Sequence, residues 1–571
     1  MNAAVRPFIP DERAGATLPR MTILAATNDP FALRLLDELR RIQPECRCVA
    51  AGDGNVAFNV AFTEISAGAA ICIYVPSPTN RAGTLPNLEE AGAVFDRAAH
   101  GAGRHFVLLS SALIYGTGPG RRGLVDEDYS PPGNTDAIAA AWGALEELAW
   151  ANLRARMTLT ILRPAILPGR PNLCSGLLAN RLSRTLPGHD PSMQFLGVSD
   201  LAAAVICAVR AQKEGVYNVA PDGVVPLHQA IRMNGGVRLP IPRTLRRIFQ
   251  RSGDLDFLRY SWTISNEKIA NDLAFTPRRS SVAALGEFRG RNASLSGPEP
   301  QFDAFGMDED YIRFHGRTLF KFLSEYYWRI EDKGLEHIPR QGRAVLAGMH
   351  RGFMPWDGVM ALHTIVKKTG RYPRFLTHPS LLKFPFLANF MTKLGGVHAC
   401  QESADHILER DGLLGIFPEG IQGAFLHYRQ AYRLQAFGRD AFVKLALRHR
   451  APIIPFITVG SAEIFPIFAK IKSRLWTKYA GWPCIPITPT FPLVPLPLPS
   501  KWHTQFLPPV EVGQYPPEAA EDRAVVRALS REVRTRMQSA VDEMLTRRRS
   551  VFFGSIFDRR SDEGESKPVA V

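Results

Sequence analysis

Two α/β domains joined by a linker, the first of them a doubly wound parallel sheet, are what the sequence predicts, and three observations carry that reading. From Met21 to about residue 286, short apolar runs alternate with stretches of helical spacing, the pattern of strands that cross over through helices to lie parallel. Between Arg289 and Phe305 the chain turns to Gly, Ser, Pro, Asn and Gln, the composition of a connector. Beyond it, two more apolar runs, Ala344 to Ala347 and Leu413 to Ile416, each give way at once to polar residues, so strand ends carry the chemistry. The divisions that follow are a tail (1–20), a first domain (21–286), a linker (287–306), a second domain (307–550) and a second tail (551–571).

A length of 571 residues accommodates two or three domains. With 46% hydrophobic and 22% charged residues the chain is neither fibrous nor dominated by disorder. The net charge of +15 calls for an anionic partner. No nucleic-acid module is recognisable and the cations are spread among apolar stretches, which favours acidic lipid headgroups over nucleic acid. Seven cysteines, scattered from Cys46 to Cys484, make neither a disulfide framework nor a metal-binding spacing, as expected in a reducing cytoplasm. No signal peptide and no uninterrupted apolar window of about 18 residues is present, so any membrane contact is expected to be peripheral, on the inner face.

The first domain follows a Pro-, Arg- and Gly-rich tail. Thr22 to Ala26 reads as a strand and Phe31 to Arg40 as the helix after it; Ala69 to Val75, His105 to Leu109 and Leu159 to Pro164 read as further strands. These segments resemble the extended short-chain dehydrogenase and NAD-dependent epimerase family, through Ser110 to Gly116, Leu162 to Pro164, Gln194 to Asp200 and Gly215 to Asn218. The resemblance implies a Rossmann-like fold. That family's glycine-rich first turn lets backbone amides approach a pyrophosphate. Here the turn from Ala25 to Phe31 has no glycine and sets Asp29 where it repels an anion. The family's active-site tyrosine is followed four residues later by a lysine, but Ala137 to Leu148, the helix expected to carry both, has neither, and no lysine precedes Lys213. Ser111, at the position of the family's catalytic hydroxyl, then reads as a structural strand-end serine. A degenerate domain without NAD(P) is the expectation; a retained epimerase or reductase activity is the alternative. Pro242 to Phe249 interleaves basic and apolar residues, either as a membrane- or domain-facing helix or as a solvated one.

In the second domain, Asp308 to Trp328 has helical spacing with an aromatic face of Tyr311, Phe314, Phe322 and Tyr326 that packs on the sheet or touches lipid. After the strand Ala344 to Ala347 come His350 and Asp357, an imidazole and a carboxylate seven positions apart. A neutral imidazole can take the proton of an attacking alcohol, and a carboxylate can fix its tautomer, so the pair suits acyl transfer with no enzyme serine. An ordinary loop pair is the competing reading. Leu381 to Met391, broken by Pro385, fits an interfacial segment, the lining of an acyl tunnel, or core. Glu402 to Arg410 reads as a helix leading to the strand Leu413 to Ile416 and the turn Phe417-Pro418-Glu419-Gly420. Glu419 can bind acceptor hydroxyls or hold its own turn, and amides around Gly420 can meet a developing oxyanion. A helix from Gly438 to Arg450, a strand from Pro452 to Val459, a proline-rich extended stretch from Trp482 to Pro499 and an edge strand within Lys501 to Val512 follow. The last helix, Ala524 to Thr546, sets Leu529, Val533, Met537, Val541 and Met544 on one stripe and arginines off it, either packing back on the domain or docking on anionic lipid.

Residues from about 307 to 515 resemble the glycerolipid acyltransferase superfamily, which includes the lysophosphatidic acid acyltransferases. Its first motif, His then Asp, is met by His350 and Asp357, its second by Gly395 to His398, its third by Phe417 to Gly420 in full, and its fourth by Ala451 to Pro455. The resemblance implies His350 as general base, Asp357 as its orienter, and Phe417, Pro418, Glu419, Gly420, Arg351 and His398 as acceptor-binding residues. It also implies acyl-CoA or acyl carrier protein as the acyl donor, with no cofactor and no metal. Six residues separate His350 from Asp357 where the common form has four, a register that falls on Pro355. The third motif continues Ile421-Gln422-Gly423 where the family often has Thr-Arg-Ser, which removes a usual phosphate partner. Arg351, Lys393, His398, His427, Arg429 and Arg433 are the cations that could substitute. The expected function is transfer of a fatty acyl group to a lysophospholipid or related lipid hydroxyl at a membrane surface. The alternatives are a bifunctional protein with an active first domain and a non-catalytic lipid-binding protein.

Overall fold

A computed structural model of the chain describes residues 21–557, apart from 26–28, 43, 45, 51–70, 81–82, 102, 119–122, 131–136, 171–173, 175–177, 179, 242–256, 289–301, 385, 439 and 492–495. The first tail, residues 558–571 of the second, most of the linker and the basic segment Pro242 to Phe249 thus lie outside the described residues, whereas 551–557, expected as tail, are tied to the C-terminal unit: Val551 O accepts from the Lys501 amide at 2.8 Å and Ile556 is buried. The chain divides into two units, Met1–Gly306 and Met307–Val571.

In the N-terminal unit the elements run β1 (Met21–Ala25), α1 (Pro30–Ile42), β2 (Arg47–Ala50), β3 (Ile71–Tyr74), α2 (Leu88–His100), β4 (His105–Leu109), α3 (Ala137–Leu153), β5 (Thr158–Pro164), α4 (Val198–Ala211) and β6 (Gly215–Val219). These six strands form the main sheet in the order β2-β1-β3-β4-β5-β6, with every pairing parallel, and two separate two-stranded ribbons, 182–185 with 237–240 and 192–193 with 225–226, lie outside it. Alternation along each strand feeds two cores. Ile23 and Ala25 join the side covered by α1 and α4, while Leu24 joins the side covered by α2 and α3. Helices on both faces and a reversal of winding beside β1 make this the doubly wound sheet expected from the alternating pattern.

The polar groups at the strand ends of this unit that the resemblance singles out are engaged within the unit. Asp29 Oδ1 accepts from the Phe31 amide at 2.8 Å, so a carboxylate already caps the helix N-terminus where a pyrophosphate would take its amides. On α3, buried Glu146 accepts from Arg163 Nε at 2.9 Å and Nη2 at 2.7 Å, and from the Ser110 hydroxyl at 2.5 Å. Ser111 caps the short turn after β4, its hydroxyl oxygen accepting from the Leu113 amide at 3.2 Å.

In the C-terminal unit the elements are α5 (Glu309–Arg317), α6 (Leu319–Phe322), β7 (Glu331–Lys333), β8 (Ala344–Gly348), α7 (Trp356–Thr369), β9 (Arg374–Thr377), α8 (Pro379–Leu382), α9 (Leu387–Lys393), β10 (Val397–His398), α10 (Gln401–Glu409), β11 (Leu413–Ile416), α11 (Gly420–Ala424), α12 (Ala441–Arg448), β12 (Ile453–Val459), β13 (Ala469–Ile471), α13 (Arg474–Ala480), β14 (Ile485–Ile487), β15 (His503–Phe506) and α14 (Arg523–Arg547). The seven-stranded sheet has the order β7-β15-β12-β8-β11-β9-β10 and is parallel except where β15 runs against β12. The expected edge strand is therefore internal, because three-residue β7 pairs along its outer side. The single helix expected from Asp308 to Trp328 breaks at Thr318 into α5 and α6. The apolar stripe of α14 is buried, with Leu529, Val533, Met537, Val541 and Met544 inside the unit, which settles that stripe as core.

Beneath the C-terminal ends of β8 and β11 lies an aromatic column. Phe375 stacks on Phe417 with ring centroids 5.6 Å apart, and Phe456 meets Phe417 at 6.0 Å and Phe506 at 5.5 Å. Two glycines make room for it. A side chain at Gly348 would overlap Phe456 and Phe417, and one at Gly415 would overlap Phe375.

Candidate active site

His350 follows β8 by one residue, Met349, whose amide still pairs with Phe456 O at 3.1 Å. The chain then turns through Gly352, at φ +74°, and enters α7 at Trp356. Asp357 consequently sits in the first helical turn, where the helix dipole favours an anion. That geometry absorbs the six-residue interval: His350 Nδ1 lies 2.7 Å from Asp357 Oδ2. The same carboxylate accepts from the Arg351 amide at 2.8 Å and, through Oδ1, from the Gly358 amide at 2.8 Å. Asp357 is 1% exposed, and these three donors offset the cost of burying its charge. With Nδ1–H donating to the carboxylate, Nε2 carries the lone pair of the imidazole. The ring leans on Phe417 at 4.7 Å, so the aromatic column sets its height above the sheet.

Arg351 and Glu419 form a second pair behind the first. Their side chains are 1% and 0% exposed and meet in a bidentate contact, Nη1 to Oε2 at 2.6 Å and Nη2 to Oε1 at 3.1 Å. Arg351 also donates to the carbonyls of His350 at 2.5 Å, Arg433 at 3.3 Å and Ala431. Glu419 additionally accepts from the Gln435 amide at 2.8 Å. The guanidinium thus ties the His350 loop to the turn after β11 and to the segment 431–435. Against the direct acceptor binding implied by resemblance for Arg351 and Glu419, neither side chain reaches solvent or lines the cavity; each is engaged in this buried pair.

That cavity, of about 210 Å³, opens beside His350. Its wall is apolar, with Phe353, Phe375, Leu381, Met391, Leu394 and Trp482 among its members. Gly420 and Phe417 line it too; Pro418 does not. The Gly420 amide donates to Phe417 O at 2.9 Å, closing its own turn. His398 lies on β10 between lining residues Gly396 and Ala399 and is not itself a lining residue. Of the other candidate cations, Lys393 sits over the Tyr311 ring at 5.3 Å and His427 bonds Phe468 O at 2.9 Å.

The sequence reading missed the polar corner of this cavity, Thr377, His378 and Ser380. His378 caps α8, its Nδ1 accepting from the Ser380 hydroxyl at 2.7 Å and amide at 3.2 Å. Burial, helped by Lys383, pulls its pKa below the usual histidine value. The available signal was local: His378 precedes Pro379, a residue suited to the first helical position.

Residues 329–459, which contain both His350 and Glu419, match the family model described as Acyltransferase. Uncharacterized protein Rv0502 of Mycobacterium tuberculosis (strain ATCC 25618 / H37Rv) is 36% identical over 299 residues, which is 51% of this chain and 80% of that protein. Uncharacterized protein ML2427 of Mycobacterium leprae (strain TN) is 33% identical over 300 residues, 51% of this chain and 79% of that protein. Among solved structures, MoeE5 in complex with UDP-glucuronic acid and NAD is similar to 47% of this chain over 99% of its own length, with 18% identity and a TM-score of 0.38. The chain belongs to one family with these mycobacterial proteins, and its C-terminal unit bears an acyltransferase domain.

Proposed function

We propose that the protein transfers a fatty acyl group from a thioester, acyl-CoA or acyl carrier protein, to the hydroxyl of a lysophospholipid or related lipid, working peripherally at the cytoplasmic face of a membrane. The observation that carries this reading is the 2.7 Å contact between His350 and Asp357 beside an apolar cavity of about 210 Å³. His350 Nε2 takes the proton as the acceptor oxygen attacks the thioester carbonyl; the C–S bond breaks, and the departing thiolate takes the proton back from the imidazolium. Asp357 holds the tautomer and stabilises the imidazolium. The cavity receives the acyl chain. The N-terminal unit, in this reading, is a degenerate dehydrogenase fold with no NAD(P): Asp29 caps α1, and Glu146 of α3 is engaged with Arg163 and Ser110. The test is incubation of the full chain with labelled acyl-CoA and a panel of lysophospholipids, glycolipids and neutral alcohols. Transfer that needs His350 supports the proposal. Transfer of equal rate in His350→Ala sinks it, and NAD(P)-dependent turnover by the same protein sinks the reading of the N-terminal unit.

A further inference from the structure

Two stretches of the C-terminal unit contain no acidic residue at all: Gly358 to Gln401 and Ile464 to Val510. The fold brings them together at the cavity. Phe384 packs on Trp482 with ring centroids 5.4 Å apart, and Gly481 lies against Ser380 and Lys383. Both stretches line the cavity, one through Leu381 and Met391, the other through Trp482.

Their outer surface combines exposed apolar side chains with cations. The hairpin of β13 and β14 with α13 exposes Phe468, Ile471 and Leu475, each by more than half, and the facing turn exposes Phe386 by 69%. Phe386 also adopts φ +63°, a conformation that bulky side chains rarely take. Strain of this kind persists where the surroundings impose it and gathers at functional sites. Lys470, Lys472, Arg474 and Lys478 lie among these apolar residues, with Lys383 on the facing turn. Among the described residues none of these five cations forms an ion pair with a carboxylate. Single exposed apolar residues are ordinary on a soluble surface. Four large ones gathered with unpaired cations, around the elements that line an apolar cavity, match a bilayer, whose headgroups are anionic and whose interior takes side chains.

We propose that this acid-free face, made of Phe386, Lys383 and the segment Phe468 to Lys478, docks the C-terminal unit on an anionic lipid bilayer and brings the cavity to the depth of the acceptor. The proposal deepens the acyl-transfer reading by naming the surface through which a membrane lipid meets the site. Aliphatic side chains such as Ile471 and Leu475 offer no stacking platform for bases, which sets a bilayer ahead of nucleic acid.

The experiment is co-sedimentation of the full chain with phosphatidylcholine vesicles, with and without phosphatidylglycerol. Wild type should bind the anionic vesicles, K470Q/K472Q should bind them roughly 30-fold more weakly, and F386S/L475S should lose most binding while keeping the wild-type melting temperature. R527Q/R531Q, on exposed positions of α14, is the control and should bind as wild type. The ratio of acyl transfer to a bilayer-embedded acceptor over transfer to a water-soluble one should fall in the docking variants. Full vesicle binding by both docking variants would overturn the proposal, as would binding carried by the α14 arginines or a preference for single-stranded RNA over vesicles. H350A separates the two readings: it should bind vesicles normally, so vesicle binding without any transfer by wild type would remove the acyl-transfer reading and leave the docking face standing.

Discussion

Each unit buries an arginine against a glutamate at the C-terminal end of its parallel strands, yet only one of these pairs stands behind an imidazole held by a carboxylate. In the N-terminal unit Arg163 and Glu146 are 11% and 6% exposed at the side chain, and Ser110, Tyr115 and the Glu127 carbonyl are hydrogen-bonded into the same network. The neighbouring cavity is about 50 Å³. In the C-terminal unit Arg351 and Glu419 lie deeper still, and in front of them His350 presents a lone pair to a cavity about four times larger. A buried ion pair by itself marks a keystone that holds segments together. Chemistry needs, in addition, a titratable group with room for a substrate.

The comparison breaks most directly at His350. His350→Ala should lower acyl transfer by about 10²- to 10⁴-fold, and Asp357→Asn by a comparable factor through loss of the tautomer; both are read by single-turnover transfer with labelled donor. Arg163→Met, assayed per folded molecule, should leave the transfer rate unchanged. Next in size is stability. Removing one partner of either pair, by Arg351→Met or Arg163→Met, should cost about 3–5 kcal/mol, measured by denaturant unfolding, with only Arg351→Met also reducing transfer. A cost confined to one unit would separate the two pairs where the comparison joins them.

Acid sharpens the contrast further. Burial pulls His105 in the N-terminal unit, and His363 and His503 in the C-terminal unit, down to about 4. A histidine whose folded pKa lies below its unfolded value of about 6.5 resists protonation only in the native state. Its contribution is therefore complete above about pH 6.5 and is lost as pH falls toward 4, by about 2–3 kcal/mol for each group. With two such groups against one, the C-terminal unit should open first on acidification, as hydrogen exchange followed separately in each unit would record. Equal or reversed order would contradict this. The smallest effect belongs to Ser111→Ala, which removes a cap worth about 1 kcal/mol. It should leave transfer untouched, and a marked loss of transfer would relocate chemistry to the N-terminal unit.

How much of this could be read from the sequence follows from the range of each interaction. Strand and helix periods are local, so β1, β4 and β5 emerge close to their expected bounds. His350 and Asp357 are seven residues apart and of types that announce their chemistry. Arg351 and Glu419 are 68 residues apart, and nothing in either neighbourhood says that they meet rather than face an acceptor. The cavity wall draws on α7, β9, α8, α9, α11 and Trp482, so although His378 before Pro379 signals a helix start, nothing in the linear sequence says that it turns toward a cavity. The stripe on α14 was visible as amphipathic, but what covers it depends on where β12 lies. The internal place of β15 likewise rests on a three-residue partner too short to show a period.

The paired glycines at Gly348 and Gly415 constrain how this site can diversify. Because the floor leaves no space for even a methyl group, a substitution there would travel through the rings to the imidazole of His350 and shift it. The cavity's sides, at Met391, Leu394 and Trp482, have no such link to His350. Relatives that handle acyl chains of different length would accordingly differ in those walls while sharing the same two bare positions underneath.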